Sequence, residues 1–91
     1  MLTMNNQYEL MKRHFPALLR KYRMAAGLTQ REVSEKAEMS SSHYSKLERG
    51  KRWPRTMLQF FLLADALGVT ATTLIEALDE EIKKEKARPQ K

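Results

Sequence analysis

The chain has 91 residues, a net charge of +6, two histidines and no cysteine. This length suits one small domain with a modest core, and the absence of cysteine excludes disulfides and thiolate metal sites. No apolar run approaches the ~18–20 residues that a membrane-spanning helix requires, so we predict a cytoplasmic protein without a membrane partner or a cofactor.

The charge is distributed unevenly along the chain. Residues 12–55 contain 12 basic and 4 acidic side chains, whereas residues 56–82 contain 5 acidic side chains and no basic one. A basic block beside an acidic block is typical of a protein that binds a polyanion with one part of its surface. Solvated surface charge explains the same pattern, so charge favours a nucleic-acid partner without settling it.

The sequence predicts helices and no strands, because no stretch alternates apolar and polar residues for long. Gly27, Gly50 and Gly68 each follow a segment with helical spacing, where the position after a helix favours glycine. A short helix is predicted over residues 5–14, within an N-terminal extension formed by residues 1–14. Pro16 fits the first turn of a helix but not its interior, so the next helix is predicted from Phe15 or Pro16 to Ala26.

Two short helices are expected next. Thr29 and Glu32 have the spacing of a capping box, in which each side chain bonds the backbone N–H of the other residue. The helix that this box begins runs to about Ala37, residues 38–40 form a turn, and the following helix runs from Ser40 or Ser41 to Arg49. The side chains of these two helices that we expect to be buried are Val33, Ala37, Tyr44 and Leu47.

Two further helices are predicted in the C-terminal part of the chain. Thr56 and Gln59 have the spacing of a second capping box, at the start of a helix that ends at Leu67. Thr70 is expected to cap the last helix, and residues 83–91, which include Pro89, are predicted to form a basic flexible tail. The domain therefore spans residues 15–82. The apolar residues expected to face its core are Phe60, Leu63, Ala64 and Leu67. The apolar side of the last helix is expected to carry Leu74, Ile75, Leu78 and Ile82.

Two helices of this length joined by a short turn are typical of a helix-turn-helix, although that pattern alone is weak evidence. The residues placed on it are more specific. The chain resembles the phage-repressor and Cro-like (Xre-type) helix-turn-helix family, which has a lambda-repressor-like DNA-binding domain. The resemblance covers roughly residues 15–78 and is carried by Arg23, by residues 27–34, by Met39 and Ser40, by residues 44–50, by Pro54, and by residues 63–64 and 66–69.

The resemblance implies an all-α, five-helix lambda-repressor-like bundle, here with a short N-terminal helical extension. It also implies transcription regulation and an association with the nucleoid. The chain departs from the family pattern at three positions. Ser34 stands where the family often has alanine, Glu38 where it often has glycine, and Arg55 is an extra residue before Thr56.

The predicted DNA contacts follow from the geometry of the major groove, which admits one helix whose N-terminal residues meet base edges. Lys46 can bind the O6 and N7 atoms of guanine and is the best candidate for discriminating bases. A helix N-terminus favours an anion, which places a phosphate near Gln30. The candidate base contacts are Ser41, Ser42, Ser45 and Lys46, and the resemblance implies the first two and Lys46. The candidate phosphate contacts are Gln30, Arg31, His43, Lys51, Arg52 and Arg55.

Three apolar residues are left outside the predicted core, and they lead to two interpretations. Met57, Phe61 and Leu62 could pack under the N-terminal segment, through Tyr8 and Met11. They could instead form a dimer surface, since an uncovered apolar patch marks an interface more often than an accident. A two-fold homodimer on a palindromic double-stranded operator is favoured, because its recognition helices would lie one helical turn apart. The candidate interface residues are Met57, Phe61, Leu62, Leu74, Leu78 and Ile82.

These patterns favour a sequence-specific DNA-binding transcriptional regulator, and more narrowly a repressor. A phage-type repressor, a restriction-modification controller and an antitoxin with a toxin partner all remain open. The alternative class is a protein-interaction module with the same fold. No nucleophile accompanies the paired carboxylates of Glu80 and Glu81, which argues against an enzyme. Trp53 is expected to pack over its own loop rather than on a base, and Glu48 and Arg49 are expected to form an ion pair.

Overall fold

The computed structural model describes residues 2–87, and the side chains from Tyr8 onward. Its regular structure consists of five α-helices with no strand in the described range, as the predicted all-α fold requires. The helices form a closed ring of packing contacts in the order α1, α3, α2, α4, α5 and back to α1. Their bounds are α1 Leu2–Ala25, α2 Gln30–Lys36, α3 Ser41–Glu48, α4 Met57–Ala66 and α5 Ala71–Ala87.

Capping residues explain where the helices begin. The Thr29 hydroxyl accepts a hydrogen bond from the Glu32 N–H, and the Glu32 carboxylate accepts one from the Thr29 N–H at 2.8 Å, so the predicted capping box is confirmed. The side chains of Ser40 and Thr70 cap α3 and α5 in the same way, each by accepting an N–H three residues later. These bonds satisfy backbone donors that have no partner within the helix.

The cap of α4 differs from its prediction. The Thr56 hydroxyl accepts the Gln59 N–H at 3.0 Å, as expected. The Gln59 side chain, however, accepts the N–H of Arg55 at 2.8 Å and not that of Thr56. The reciprocal half of the predicted capping box is therefore absent, because the Gln59 amide reaches one residue further back into the loop.

The first helix is longer than predicted. It runs without interruption from Leu2 to Ala25 with Pro16 inside it, so the predicted helix boundary at Phe15 or Pro16 is wrong, and residues 2–14 form the first turns of α1. A proline in a helix interior costs about 3 kcal/mol, because it lacks an N–H and its ring crowds the preceding turn. Leu10 before it and Leu19 after it are both buried, and this burial on either side offsets the cost.

Polar contacts join the middle of α1 to the C-terminal end of α5. The Nε2 atom of His14 lies 2.6 Å from one carboxylate oxygen of Glu85, and the guanidinium of Arg13 binds the other. The hydrogen bonds from His14 and Arg13 hold the pKa of Glu85 below its usual value. Residues 83–87 are therefore helical and not part of a flexible tail. Pro89 and the rest of the predicted tail lie outside the described residues.

The core is close to the predicted one. Phe60 and Leu78 are half-buried and pack against it, whereas Ile75 is 54% exposed and does not share the burial of the apolar side of α5 on which it was predicted. Trp53 packs on the buried ring of Phe15 in α1, with 5.8 Å between ring centroids, so it packs within the chain as expected. The predicted core residues found buried are Val33, Ala37, Tyr44, Leu47, Leu63, Ala64 and Leu67, and Leu74 and Ile82 on the apolar side of α5 are buried as well.

The turn between α2 and α3 contains a residue in an unusual conformation. Glu38 has a φ of 59°, in the left-handed region that glycine adopts most easily. The N–H groups of Glu38 and Met39 bond back to the carbonyls of Glu35 and Ser34, which closes α2 with a Schellman motif. The turn therefore keeps the geometry of a glycine turn although a glutamate occupies that position.

Replacing Glu38 by glycine is expected to raise the free energy of unfolding by about 0.5–1 kcal/mol. Glycine removes the steric cost of the left-handed conformation, and this gain exceeds the extra entropy that it gives the unfolded chain. Urea unfolding measures the change, with Glu38→Gln as the matched control. The control removes the same charge but keeps the strained backbone, so an equal gain in both variants would contradict the explanation.

Candidate nucleic-acid interface

Helices α2 and α3 form a two-helix unit whose inner face is apolar and whose outer edge is polar. Tyr44 and Leu47 of α3 are completely buried, against the equally buried Val33 of α2. The opposite edge of α3 begins with Ser41 and Ser42, which are exposed on its first turn. Ser45 and Lys46 follow one turn later and are half-buried. The exposed N-terminal end of α3 therefore presents short hydrogen-bonding side chains.

A polar groove of about 400 Å³ lies between α3 and the loop of residues 51–55. It brings together five of the predicted contacts, namely Ser42, His43, Lys46, Arg52 and Arg55. The remaining lining residues are Glu38, Met39, Ser40 and Gln59. The lining therefore contains the cations of Lys46, Arg52 and Arg55 together with His43, and only one carboxylate, that of Glu38. This excess of positive charge suits a polyanion. Ser41, Ser45, Gln30, Arg31 and Lys51 are predicted contacts that do not line this groove.

The loop of residues 51–55 is hydrogen-bonded to α3 at its start. The N–H groups of Lys51 and Arg52 both donate to the carbonyl of Lys46, at 2.8 and 3.3 Å. Gly50 before them has a φ of 73°, and a Cβ there would lie 3.4 Å from the ring of Pro16. The basic loop therefore leaves α3 in a defined direction, with the side chains of Lys51, Arg52 and Arg55 exposed.

The C-terminal end of α3 is anchored by a buried carboxylate. The side chain of Glu48 is 4% exposed and accepts hydrogen bonds from Arg23 Nε at 2.6 Å, from the Tyr44 hydroxyl at 2.6 Å and from Gln30 Nε2 at 2.9 Å. The predicted ion pair between Glu48 and Arg49 is wrong, because Arg23 of α1 occupies the carboxylate. This network joins α1, α2 and α3, and it fixes the position of α3 relative to the other two helices.

The network also shifts the ionisation of its members. Burial raises the pKa of Glu48, but the hydrogen bonds from Arg23, Tyr44 and Gln30 outweigh burial and bring the pKa below its usual value. Burial and the hydrogen bond to Glu48 raise the pKa of the Tyr44 hydroxyl far above its usual range. Glu48 is therefore a carboxylate at neutral pH, and Tyr44 is a donor.

Three of the predicted phosphate contacts have side-chain partners within the protein, and one of them is His43, whose Nε2 lies 3.3 Å from the amide oxygen of Gln59. The side-chain amide of Gln30 donates to Glu48, and the guanidinium of Arg31 lies 3.3 Å from the carboxylate of Glu35 on an exposed helix face. Sequence reasoning missed the burial of Ser34, whose hydroxyl donates to the carbonyl of Arg31 at 2.7 Å. Serine can form a local bond of this kind, from residue i to the carbonyl of residue i−3, in any helix. The residue type was therefore the only feature of the sequence that indicated this bond.

The predicted dimer residues divide into three groups. Met57 and Phe61 are exposed, by 77% and 54%, whereas Leu62 and Leu78 are half-buried. Leu74 and Ile82 are buried in the core of this chain, so their assignment to an interface is wrong. Leu58 and Ile75 are further exposed apolar residues that the prediction did not include. Met11 and Met57 line two apolar grooves together with Phe60 and Leu78. The N-terminal segment does not cover Met57, however, so the alternative of packing under that segment is wrong for this residue.

Among residues 2–87, no three His, Asp or Glu side chains are grouped so that they could hold a metal ion. No single helix in this range is long and apolar enough to cross a membrane. Helices α4 and α5, which are bent by 93° relative to each other, reach that length and apolar composition only when they are taken together.

Comparisons with known proteins agree on the family of this chain. A helix-turn-helix domain family model matches residues 14–78. The HTH-type transcriptional regulator y4dJ of Sinorhizobium fredii (strain NBRC 101917 / NGR234) is 43% identical over 58 residues, which cover 64% of this chain and 74% of that protein. The clp gene regulator ClgR from C. glutamicum has a similar crystal structure, with a TM-score of 0.67 and 26% identity, over 87% of this chain and 96% of that chain.

Proposed function

We propose that this chain, which belongs to the helix-turn-helix domain family, is a sequence-specific regulator of transcription, and more narrowly a repressor, that places α3 in the major groove of double-stranded DNA. DNA-binding transcription regulation is supported by the family and by the regulator names of both relatives. The observation that carries the finer proposal is the exposed first turn of α3 beside the basic groove. In the major groove, polar side chains at the end of a helix can bond base edges, while flanking cations bind the phosphates on either side.

The proposed contacts divide by position. Ser41 and Ser42 on the first turn of α3 and Ser45 and Lys46 on its next turn would meet base edges, while the groove side chains His43, Arg52 and Arg55 would bind phosphates. Lys51 and the exposed Arg31 would add phosphate contacts. Gln30 would contribute through the backbone at the start of α2, because its side-chain amide already donates to Glu48. No group in this arrangement is placed for covalent chemistry, and we propose no enzymatic activity.

Selection of bound sites from a pool of random double-stranded DNA tests this function. We expect enrichment of one motif, with protection of the same bases when a duplex carrying it is footprinted. A promoter that overlaps the selected motif should be silenced when the protein is expressed, if the protein is a repressor. Recovery of unenriched sequence would overturn sequence-specific binding, and stimulation of the promoter would overturn repression alone.

Replacing Lys46 by methionine is expected to weaken binding to the selected site by about 5- to 150-fold. This range corresponds to the 1–3 kcal/mol that a side chain bonded to a guanine contributes to discrimination. The loss should be concentrated at one base position, measured by competition with single-base variants of the site. Lys51→Met is the matched control, because loss of a phosphate contact weakens binding to all sequences about equally. An equally uniform loss in both variants would contradict base contact by Lys46.

We also propose that the protein acts as a homodimer on a palindromic operator. Met57, Phe61 and the neighbouring Leu58 on α4 are exposed apolar side chains, as is Ile75 on α5. Apolar area of this kind is the usual driving force for a stable two-fold interface. Sedimentation at tens of micromolar should detect a dimer that Phe61→Glu dissociates. A monomer at that concentration, with one copy on the selected operator, would overturn the dimer while leaving DNA binding intact.

The competing function is a protein-interaction module of the same fold, for example an antitoxin. The exposed apolar residues of α4 and α5 are the observation that favours it, because another protein could cover them as well as a second copy could. The two functions differ in whether a second protein is needed for DNA binding. Purified protein alone should bind the selected DNA if the leading proposal is correct, whereas binding only in the presence of a co-purifying protein would favour the module.

A further inference from the structure

The side chain of Gln59 connects two parts of the proposed DNA-binding surface. It lies on the first turn of α4 and lines the polar groove. Its amide oxygen accepts the backbone N–H of Arg55 at 2.8 Å and lies 3.3 Å from Nε2 of His43. A single oxygen with two lone pairs therefore contacts the basic loop on one side and the recognition helix on the other.

The chemistry of these contacts determines how the groups are oriented. A backbone N–H can only donate, so the atom of Gln59 that faces Arg55 must be the amide oxygen. An oxygen of this kind can only accept, so Nε2 of His43 must carry the hydrogen in that contact. The His43 ring is consequently held toward α4 through Nε2, whether the ring is neutral or charged.

The loop is bracketed by bonds at both of its ends. At its start, Lys51 and Arg52 donate to the carbonyl of Lys46, and in its middle Trp53 packs on Phe15. At its far end the only backbone bond described for Arg55 is the one to Gln59. Within residues 2–87 the guanidinium groups of Arg52 and Arg55 form no ion pair, so internal salt bridges do not hold them. Gln59 is therefore the side chain that bonds the backbone of the second half of the loop.

We propose that Gln59 is a positioning residue of the DNA-binding surface, whose amide oxygen holds the Arg55 backbone and the His43 ring so that the basic loop and α3 meet one stretch of phosphates together. This inference rests on the proposed function. A pre-ordered loop loses less conformational entropy when it binds, which increases affinity without any added contact. Gln59 itself contacts no base or phosphate in this role.

The test replaces Gln59 by methionine, which keeps the length of the side chain and removes its oxygen. Hydrogen exchange at the Arg55 amide, followed by NMR in the full-length protein without DNA, should accelerate at least tenfold. Exchange at the amide of residue 59, which donates to the Thr56 hydroxyl, should not change. Gln59→Glu keeps an accepting oxygen and should restore the protection of the Arg55 amide.

DNA binding provides the second measurement. Gln59→Met should weaken binding to the selected duplex about 5- to 10-fold. The double variant with Arg55→Gln should lose less than the sum of the two single losses, because Gln59 is proposed to act in part through that arginine.

Three results would overturn the proposal. Unchanged exchange at Arg55 would mean that Gln59 does not hold the loop, and full additivity in the double variant would mean that Gln59 does not act through Arg55. Accelerated exchange with unchanged affinity would remove the role in binding and leave the proposed function standing. Absence of DNA binding by the unsubstituted protein would overturn the proposed function itself, which the exchange measurement without DNA distinguishes from a failure of the Gln59 contact.

Discussion

Replacing Arg23 by methionine should lower the free energy of unfolding by about 3–5 kcal/mol, the usual cost of removing one partner of a buried ion pair. The Glu48 side chain is 4% exposed, and the substitution removes the cation that is paired with its carboxylate. It also removes the bond from Arg23 to the Leu28 carbonyl, at 3.0 Å. Small domains have only about 5–15 kcal/mol of stability in total, so this variant should be close to unfolding at 37 °C.

Urea unfolding measures this loss, and the chain contains a matched control. Arg31→Met breaks the ion pair between Arg31 and Glu35, whose side chains are 81% and 66% exposed, respectively. An exposed pair of this kind contributes less than about 1 kcal/mol, so the control should be nearly as stable as the unsubstituted protein. Similar losses in both variants would contradict the assignment of Glu48 as a buried anchor.

The same carboxylate should make stability depend on pH. The folded-state pKa of Glu48 lies below its usual value, so its contribution is present above the unfolded-state pKa of about 4.3 and is lost as the pH falls through the folded-state pKa. The urea concentration at the unfolding midpoint of the unsubstituted protein should therefore decrease as the pH is lowered below about 4. That fall should be smaller in Arg23→Met, where the cation that lowers the pKa is absent.

Affinity for DNA should fall about 10³-fold between 50 and 200 mM monovalent salt. This expectation follows if about six phosphates are neutralised, since each contributes about −0.9 to the slope of log affinity against log salt and the total slope is near −5. The cations available for this role lie on the basic loop, on α3 and at the start of α2. Fluorescence anisotropy of a labelled duplex over a salt series gives the slope directly.

The double variant Arg52→Gln/Arg55→Gln should reduce the slope by about 2. Its control is Lys83→Gln/Lys84→Gln, which removes the same charge from α5, where these lysines lie beside Asp79 and Glu81. The control should keep the slope of the unsubstituted protein. An equal change in both double variants would mean that net charge, and not the groove, determines the salt dependence.

What could be predicted from the sequence was encoded locally. Thr29, Thr56 and Thr70 cap their helices through bonds to residues three positions away, so each pattern is contained in a short stretch of chain. The helix-turn-helix and the burial of Tyr44 and Leu47 follow from the same local spacing. The comparisons support the predicted family, whose characteristic residues in this chain lie between Arg23 and Val69.

What could not be predicted depends on residues far apart in the chain. Arg23 and Glu48 are 25 positions apart, so local spacing favoured the adjacent Arg49 as the partner of Glu48. The helix was predicted to break at Pro16 because local propensity disfavours an interior proline, and tertiary burial overrides that preference. Gln59 likewise has the expected position for a capping box, but its partner is determined by where the loop runs. Leu74 and Ile82 were assigned to an interface because apolar spacing alone does not say which protein covers a helix face.

The pairing of Arg13 and His14 with Glu85 has a consequence for how the chain folds. Arg13 and Glu85 are 72 residues apart, whereas α2 and α3 are neighbours in the chain. The entropy cost of closing a loop grows with its length, and contacts between neighbours form faster than distant ones. We therefore expect the two-helix unit to assemble early by local contacts, and the two ends of the chain to be joined last.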